Sequence, residues 1–207
     1  MKVILSRKGF DSGYGGQPSP ILPDGTLLSL PIPSKNDTVN YSDLSYKDKS
    51  YYEIIKELKP NTKIKSTHTC HLDPDIRHDA IIREGNWKAL FGQMGSAQGH
   101  LRNEDVRNGD IFLFFGWFKE AEIVNQRFRY IDKAHNLHVI YAYLQIGHIY
   151  STYDELPPAA KYHSHAHKFL VDKNNCIYEA ADVLSLDNSL PGAGCLKYDK
   201  CLVLTKE

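Results

Sequence analysis

Two short stretches of the sequence hold most of its chemistry-bearing side chains. In "THTCHLDPDIRHD" (67–79), His68, His71, Asp73, Asp75, His78 and Asp79 crowd together. Pro74 disfavours a helical conformation at Asp73, so the stretch should be extended or turning. His71, Asp73 and Asp75 alternate, and alternate side chains of extended backbone share a face. Converging on one cation, such imidazole and carboxylate donors suit iron, manganese or zinc. A polar loop built on Asp-Pro turn chemistry is the other reading of the same residues. The second stretch, "KYHSHAHKF" (161–169), sets His163, His165 and His167 at alternate positions. On a strand they would line one face, as a metal site or a phosphate-binding surface. Lone histidines are more often surface or satisfied core groups than ligands. Together with the HxDxD stretch, however, they would supply a mixed His/Asp site with positions left for substrate.

Other residues have suitable chemistry. Asp11 follows "SRKGF", and with Arg7 and Lys8 it can orient a phosphate or a metal; solvated surface charges are the alternative. Gln93, Gln98 and His100 precede a Gly-Asp turn at 109–110, where an amide can read a base edge or tie down loop backbone. Trp117, with Phe115 and Phe118, can stack a base or fill a core. No GxSxG, phosphate-binding GxxxxGK[ST] or GxGxxG opening a helix is present. Cys70 lies between His68 and His71, but a Cys/His pair is defined by geometry rather than by proximity in sequence.

The elements that must position these groups can be sketched from periodicity. Residues 2–6 read as a first strand. Residues 9–36 are rich in Gly, Pro and Ser but keep Ile21, Leu22, Leu27, Leu28, Leu30 and Ile32, so they should pack down and line a site. "DKSYYEIIKELKP" places Tyr51, Ile54, Ile55 and Leu58 on one helical face, ended by Pro60. "NWKALFGQMGSAQGHLRNEDV" (86–106) reads as a helix broken by glycines. "GDIFLFFGWF" (109–118) is apolar on both faces and reads as a buried strand. Strands over 127–132 and 138–150 follow, with a bulge or bend expected at Gly147. "KFLVDKNNCIYEA" reads as a hairpin turning at Asn174–Asn175, and "CLVLT" (201–205) as a last strand. The sum is an α+β fold. A curled, mostly antiparallel sheet or small barrel takes up 109–207, and a loop- and helix-rich part with the HxDxD motif takes up 1–108, all within one domain over 1–207.

Twenty-five Lys and Arg balance twenty-five Asp and Glu, so no global field draws the chain to nucleic acid or membrane, and any DNA contact must use a local patch. No apolar run reaches membrane-span length, and "MKVILSRKG" lacks the features of a signal peptide. Four scattered cysteines without a CxxC pair point to free thiols in a reducing cytoplasm.

Several of these stretches together resemble one family. They are "SRKGFDSGYGGQPSPILPDGTLLSLPIP" (6–33), "HLDPD" (71–75), "GQMGSAQGHLRNEDVRNGDIFLFFGWF" (92–118), "HVIYAYLQIG" (138–147), "HAH" (165–167) and "LPGAG" (190–194). In that order they resemble the nucleotide modification associated domain of the third class. That family occurs in bacteria and phages and is linked by gene context to hypermodified DNA bases. The resemblance marks His165 and His167, rather than His163, as the paired histidines. Taken with the two His/Asp clusters, the leading reading is a divalent-metal enzyme whose ion, iron ahead of manganese or zinc, is held by some of His71, Asp73, Asp75, His165 and His167. Asp11, His71 and Asp75 would be catalytic, and Arg7, Lys8, Gln93, Gln98, His100 and Trp117 would bind substrate. The substrate would be a modified nucleotide or a modified base in DNA, processed alongside other base-modification enzymes by oxidation or hydrolysis of a base substituent. Residues 93–147 also resemble, more weakly, the EVE and ASCH domains of the PUA-like class, although "FFGWF" stands where those carry "FYHS". That similarity implies an alternative role, a non-catalytic reader holding a flipped modified base in a PUA-like barrel.

Overall fold

A computed structural model describes residues 1–83 and 85–205. Its centre is a pair of long antiparallel strands, Ile111–Val124 and Leu137–Tyr150. The first inserts Phe112, Phe114 and Phe118 into the core, and these pack with Phe91, Val139, Tyr141, Leu144 and Tyr178. Val3–Arg7 and Ser19–Ile21 pair with Ile111–Val124 in parallel, and the other strand pairs among the described residues are antiparallel. Beyond Leu137–Tyr150 the order continues through Asn175–Ala180 to Leu90–Met94. The register shifts between Ile146 and His148, which places a bulge at Gly147 as expected. A side chain there would collide with the Ala181 backbone.

The fold is α+β and mostly sheet, with two α-helices among the described residues. The sheet is open, ending at Val3–Arg7 on one side and Leu90–Met94 on the other, so the expected PUA-like barrel is not what the chain builds. Helix Tyr51–Leu58 starts at a Ser50/Glu53 capping box, and Tyr51, Ile54, Ile55 and Leu58 are its buried face. That face packs under the irregular N-terminal segment, meeting Phe10, Leu22, Leu28 and Leu30 in a second core cluster. Burying each such aliphatic side chain contributes about 1.5–3 kcal/mol, which is why so irregular a segment is held in place.

Three other expectations give way. Residues 90–94 are a strand and only Gly95–Asn103 is helical, because Leu90–Met94 finds a partner in Asn175–Ala180. Residues 167–170 form a 3₁₀ turn rather than a hairpin arm, for the same reason: Asn175–Ala180 pairs elsewhere. In place of the strand expected over 201–205 stand a 3₁₀ turn at Lys200–Leu202 and an isolated bridge from Val203 to Val139. All four cysteines are free. Among the described residues, no helix is long and apolar enough to cross a membrane.

Candidate metal centre

Asp73 is buried where four elements meet. Its Oδ1 accepts the Gly92 backbone N–H at 2.6 Å and its Oδ2 accepts the Lys8 ammonium at 2.8 Å. Lys8 follows the strand Val3–Arg7 and also lies 4.5 Å from the Phe91 ring centroid. His71 comes from the two-residue strand Cys70–His71, which pairs with Ile32–Pro33 of the N-terminal segment. His163 and His165 come from the turns over 161–166. The Nε2 atoms of His71 and His165 lie 3.9 and 4.0 Å from Asp73 Oδ2, and His163 Nε2 lies 3.5 Å from Oδ1. One donor atom each from His71, Asp73 and His165 falls within a sphere of mutual distances up to 4.8 Å. Ligand atoms held about 2.1 Å from one ion are separated by roughly 3–4 Å, so this trio is close to a coordinating arrangement.

The hydrogen bonds around the rings assign their tautomers. His71 Nδ1 is 3.0 Å from Asp37 Oδ2, a carboxylate that only accepts, so in the neutral ring Nδ1 bears the proton and Nε2 keeps its lone pair. Asn175 donates its Nδ2 to the His165 carbonyl at 3.0 Å, which orients the amide so that its Oδ1 accepts from His165 Nδ1 at 2.8 Å. His165 Nε2 is therefore also a free lone pair facing Asp73. His163 is the reverse. Its Nδ1 accepts the His165 backbone N–H at 3.2 Å, so in the neutral ring the proton sits on Nε2. That Nε2 is buried and has no hydrogen-bond partner among the described residues.

Charge is balanced around these groups. Burial opposes the charge of Asp73, but Lys8 first, then His165, His71 and His163, hold its carboxyl below the usual range. Burial likewise opposes ionisation of Asp37, yet its hydrogen bonds from His71 and Ser34 bring it down to about 2. Desolvation depresses His163 to about 3 and His165 to about 4, so both rings are neutral at neutral pH. Lys168, half-buried, is also lowered by burial and feels Asp37, Asp73 and Lys8. Gly92 is needed here, since a Cβ on it would lie 2.2 Å from the His165 ring.

The other sequence candidates lie apart from this group. Asp75 is turned onto Arg83, which binds it through two nitrogens at 2.5 and 2.6 Å, and it also accepts from the Tyr162 hydroxyl. His167 is exposed and stacks near Tyr153, because 161–170 is turns and 3₁₀ helix and strand alternation does not operate there. Asp11 uses Oδ1 to accept the Gly13 and Tyr14 backbone N–H groups, closing a turn. Arg7 is exposed and acts on His138. Gln98 is buried and accepts from the Tyr178 hydroxyl, Gln93 accepts the Met94 N–H, and His100 is exposed on helix Gly95–Asn103. Trp117 donates to Asn136. Asp37, Gly92, Asn175 and Lys168 join the cluster although no sequence pattern marks them as site residues. Only "NN" at 174–175 and the glycine of "GQMG" carry any local signal, and neither points to a site.

No curated protein and no solved structure matches the chain. A family model described as nucleotide modification associated domain 3 matches residues 2–207, which is nearly the whole sequence. The chain therefore belongs to the nucleotide modification associated domain 3 family, which puts its role in nucleotide modification.

Proposed function

We propose that this chain is a metal-dependent enzyme of nucleotide modification, with a divalent ion held by Nε2 of His71, Nε2 of His165 and the carboxylate of Asp73. The observation that carries this is the pair of imidazoles whose Nδ1 protons are each committed to an acceptor from another element, Asp37 and Asn175. Such outer partners fix ligand histidines in ligand-competent tautomers. Two imidazoles and one carboxylate with open positions suit iron(II), with manganese and zinc as further candidates. When bound, the ion supplies Lewis-acid polarisation of a substrate oxygen or an activated water. Oxidation or hydrolysis at a base substituent is the chemistry most compatible with that set.

The chain's own residues supply the rest. Lys8 neutralises Asp73 through the oxygen that faces both ligand rings, so an incoming cation competes with its ammonium. His163 presents an Nε2–H donor to the same space and is suited to hold an oxygen of the substrate rather than the ion.

Metal titration tests the proposal. After stripping, wild-type protein should take up one equivalent of Fe(II), Mn(II) or Zn(II). His71→Ala and His165→Ala should lose more than a hundredfold in affinity, since even outer-partner changes cost 10–100-fold. Lys8→Met is the sharper variant: it leaves a buried carboxylate unpaired, and added metal should restore its melting temperature. A stripped wild type that binds none of the three ions, with a Lys8→Met protein that none of them stabilises, would leave a buried Lys–Asp pair and no metal centre.

A further inference from the structure

A cleft of about 780 Å³ opens between the glycine-rich turn 12–16 and the loop 59–69. Lys35, Lys59 and Lys63 line it, and no Asp or Glu does among the described residues. In a chain with equal numbers of acidic and basic residues, that is a local excess of positive charge. Lys59 bonds the Gly16 carbonyl at 2.9 Å and joins the two walls. Lys35 and Lys63 have no ion-pair or hydrogen-bond partner among the described residues. Part of the cleft wall is the metal centre's own support. Ser34 and Thr69 line it, Ser34 N–H bonds the Thr69 carbonyl at 3.0 Å, and the Ser34 side chain bonds Asp37. Asp37 in turn holds His71, so one serine borders both features.

A mononucleotide site gathers a few convergent, buried polar groups. These lysines are instead exposed and come from two separate segments of the cleft wall, 33–35 and 59–64, which suits successive phosphates of a strand better than one enclosed phosphate. We propose that the cleft binds the phosphate backbone of a nucleic-acid strand and so presents a base of that strand to the His71–Asp73–His165 centre. This rests on the functional reading above and narrows its substrate from nucleotides in general to the polymer.

The test is binding of a fluorescent twelve-residue single-stranded oligodeoxynucleotide, its duplex, and a labelled mononucleotide, each across a range of salt. Three phosphates neutralised on a single strand give a slope of about −2.1 in log K against log salt, or roughly a twentyfold loss between 50 and 200 mM. The double variant Lys35→Ala/Lys63→Ala should flatten that slope to about −0.7, with metal uptake unchanged. Lys200→Ala, on the C-terminal 3₁₀ turn, should leave the slope as it is. An unchanged slope in the double variant, or a mononucleotide bound as tightly as the oligonucleotide, overturns the proposal. The two readings fail separately: a protein that takes up no metal yet shows the lysine-dependent slope loses the metal centre and keeps the cleft.

Discussion

Asp73 and Asp75 are two residues apart, and both carboxylates are completely buried, yet they have different surroundings. Asp75 is gripped by the fork of Arg83 and by Tyr162, and the Trp87 indole bonds the Tyr162 oxygen at 2.6 Å and lies under Arg83. A guanidinium carries its charge at every accessible pH and cannot be exchanged for a ligand at low cost. Asp73 has one ammonium, one backbone N–H and three imidazoles, two of them presenting lone pairs toward it. A buried carboxylate whose acceptor sites are filled by a fixed fork is a strut. One that faces lone pairs and an unsatisfied donor is a site, even though the sequence writes both as the same residue in the same motif.

The largest effect that can break this contrast comes from Arg83→Met. It strands Asp75 unpaired in the core and should cost about 3–5 kcal/mol in urea unfolding, while the folded fraction keeps its metal affinity. Loss of metal without loss of stability would merge the two regions. Next come the groups that orient the rings. Asn175→Ala and Asp37→Asn should each weaken metal binding 10–100-fold by releasing a tautomer, which isothermal titration of the stripped protein reads directly.

Acid probes the same contrast. His163 and His165 have folded values of about 3 and about 4 against about 6.5 unfolded, so the unfolded chain binds more protons between those limits. Metal-free protein should therefore lose stability as pH falls from 6.5 toward 4, by up to about 1.4 kcal/mol per pH unit for each ring. His163→Gln should show a shallower decline of melting temperature over that window; an identical profile would mean the ring is not held neutral. The smallest expected effect is at His167. Exposed and outside the cluster, His167→Ala should change stability by less than about 0.5 kcal/mol and leave metal uptake intact. A metal-deficient His167→Ala protein would return the paired-histidine expectation.

Local chemistry makes part of this protein legible in its sequence. The capped, one-faced helix at Tyr51–Leu58, the two long apolar strands and the Gly147 bulge each follow from side-chain periodicity or from a residue's own backbone freedom. The motifs also mark His71, Asp73 and His165 as groups able to do chemistry. What sequence cannot choose is company. Asp73 and Asp75 alternate equally well, and only the packing of Arg83 and Tyr162 on one side, and of Lys8, Gly92 and His165 on the other, tells them apart. His165 reaches the centre because Leu90–Met94 pairs with Asn175–Ala180, a register between segments some eighty residues apart. Hydrogen-bond partners at that separation leave no periodic trace in the chain, since they are set by sheet register and core packing. The donor atoms are therefore readable from the sequence, and the site is decided by the tertiary fold.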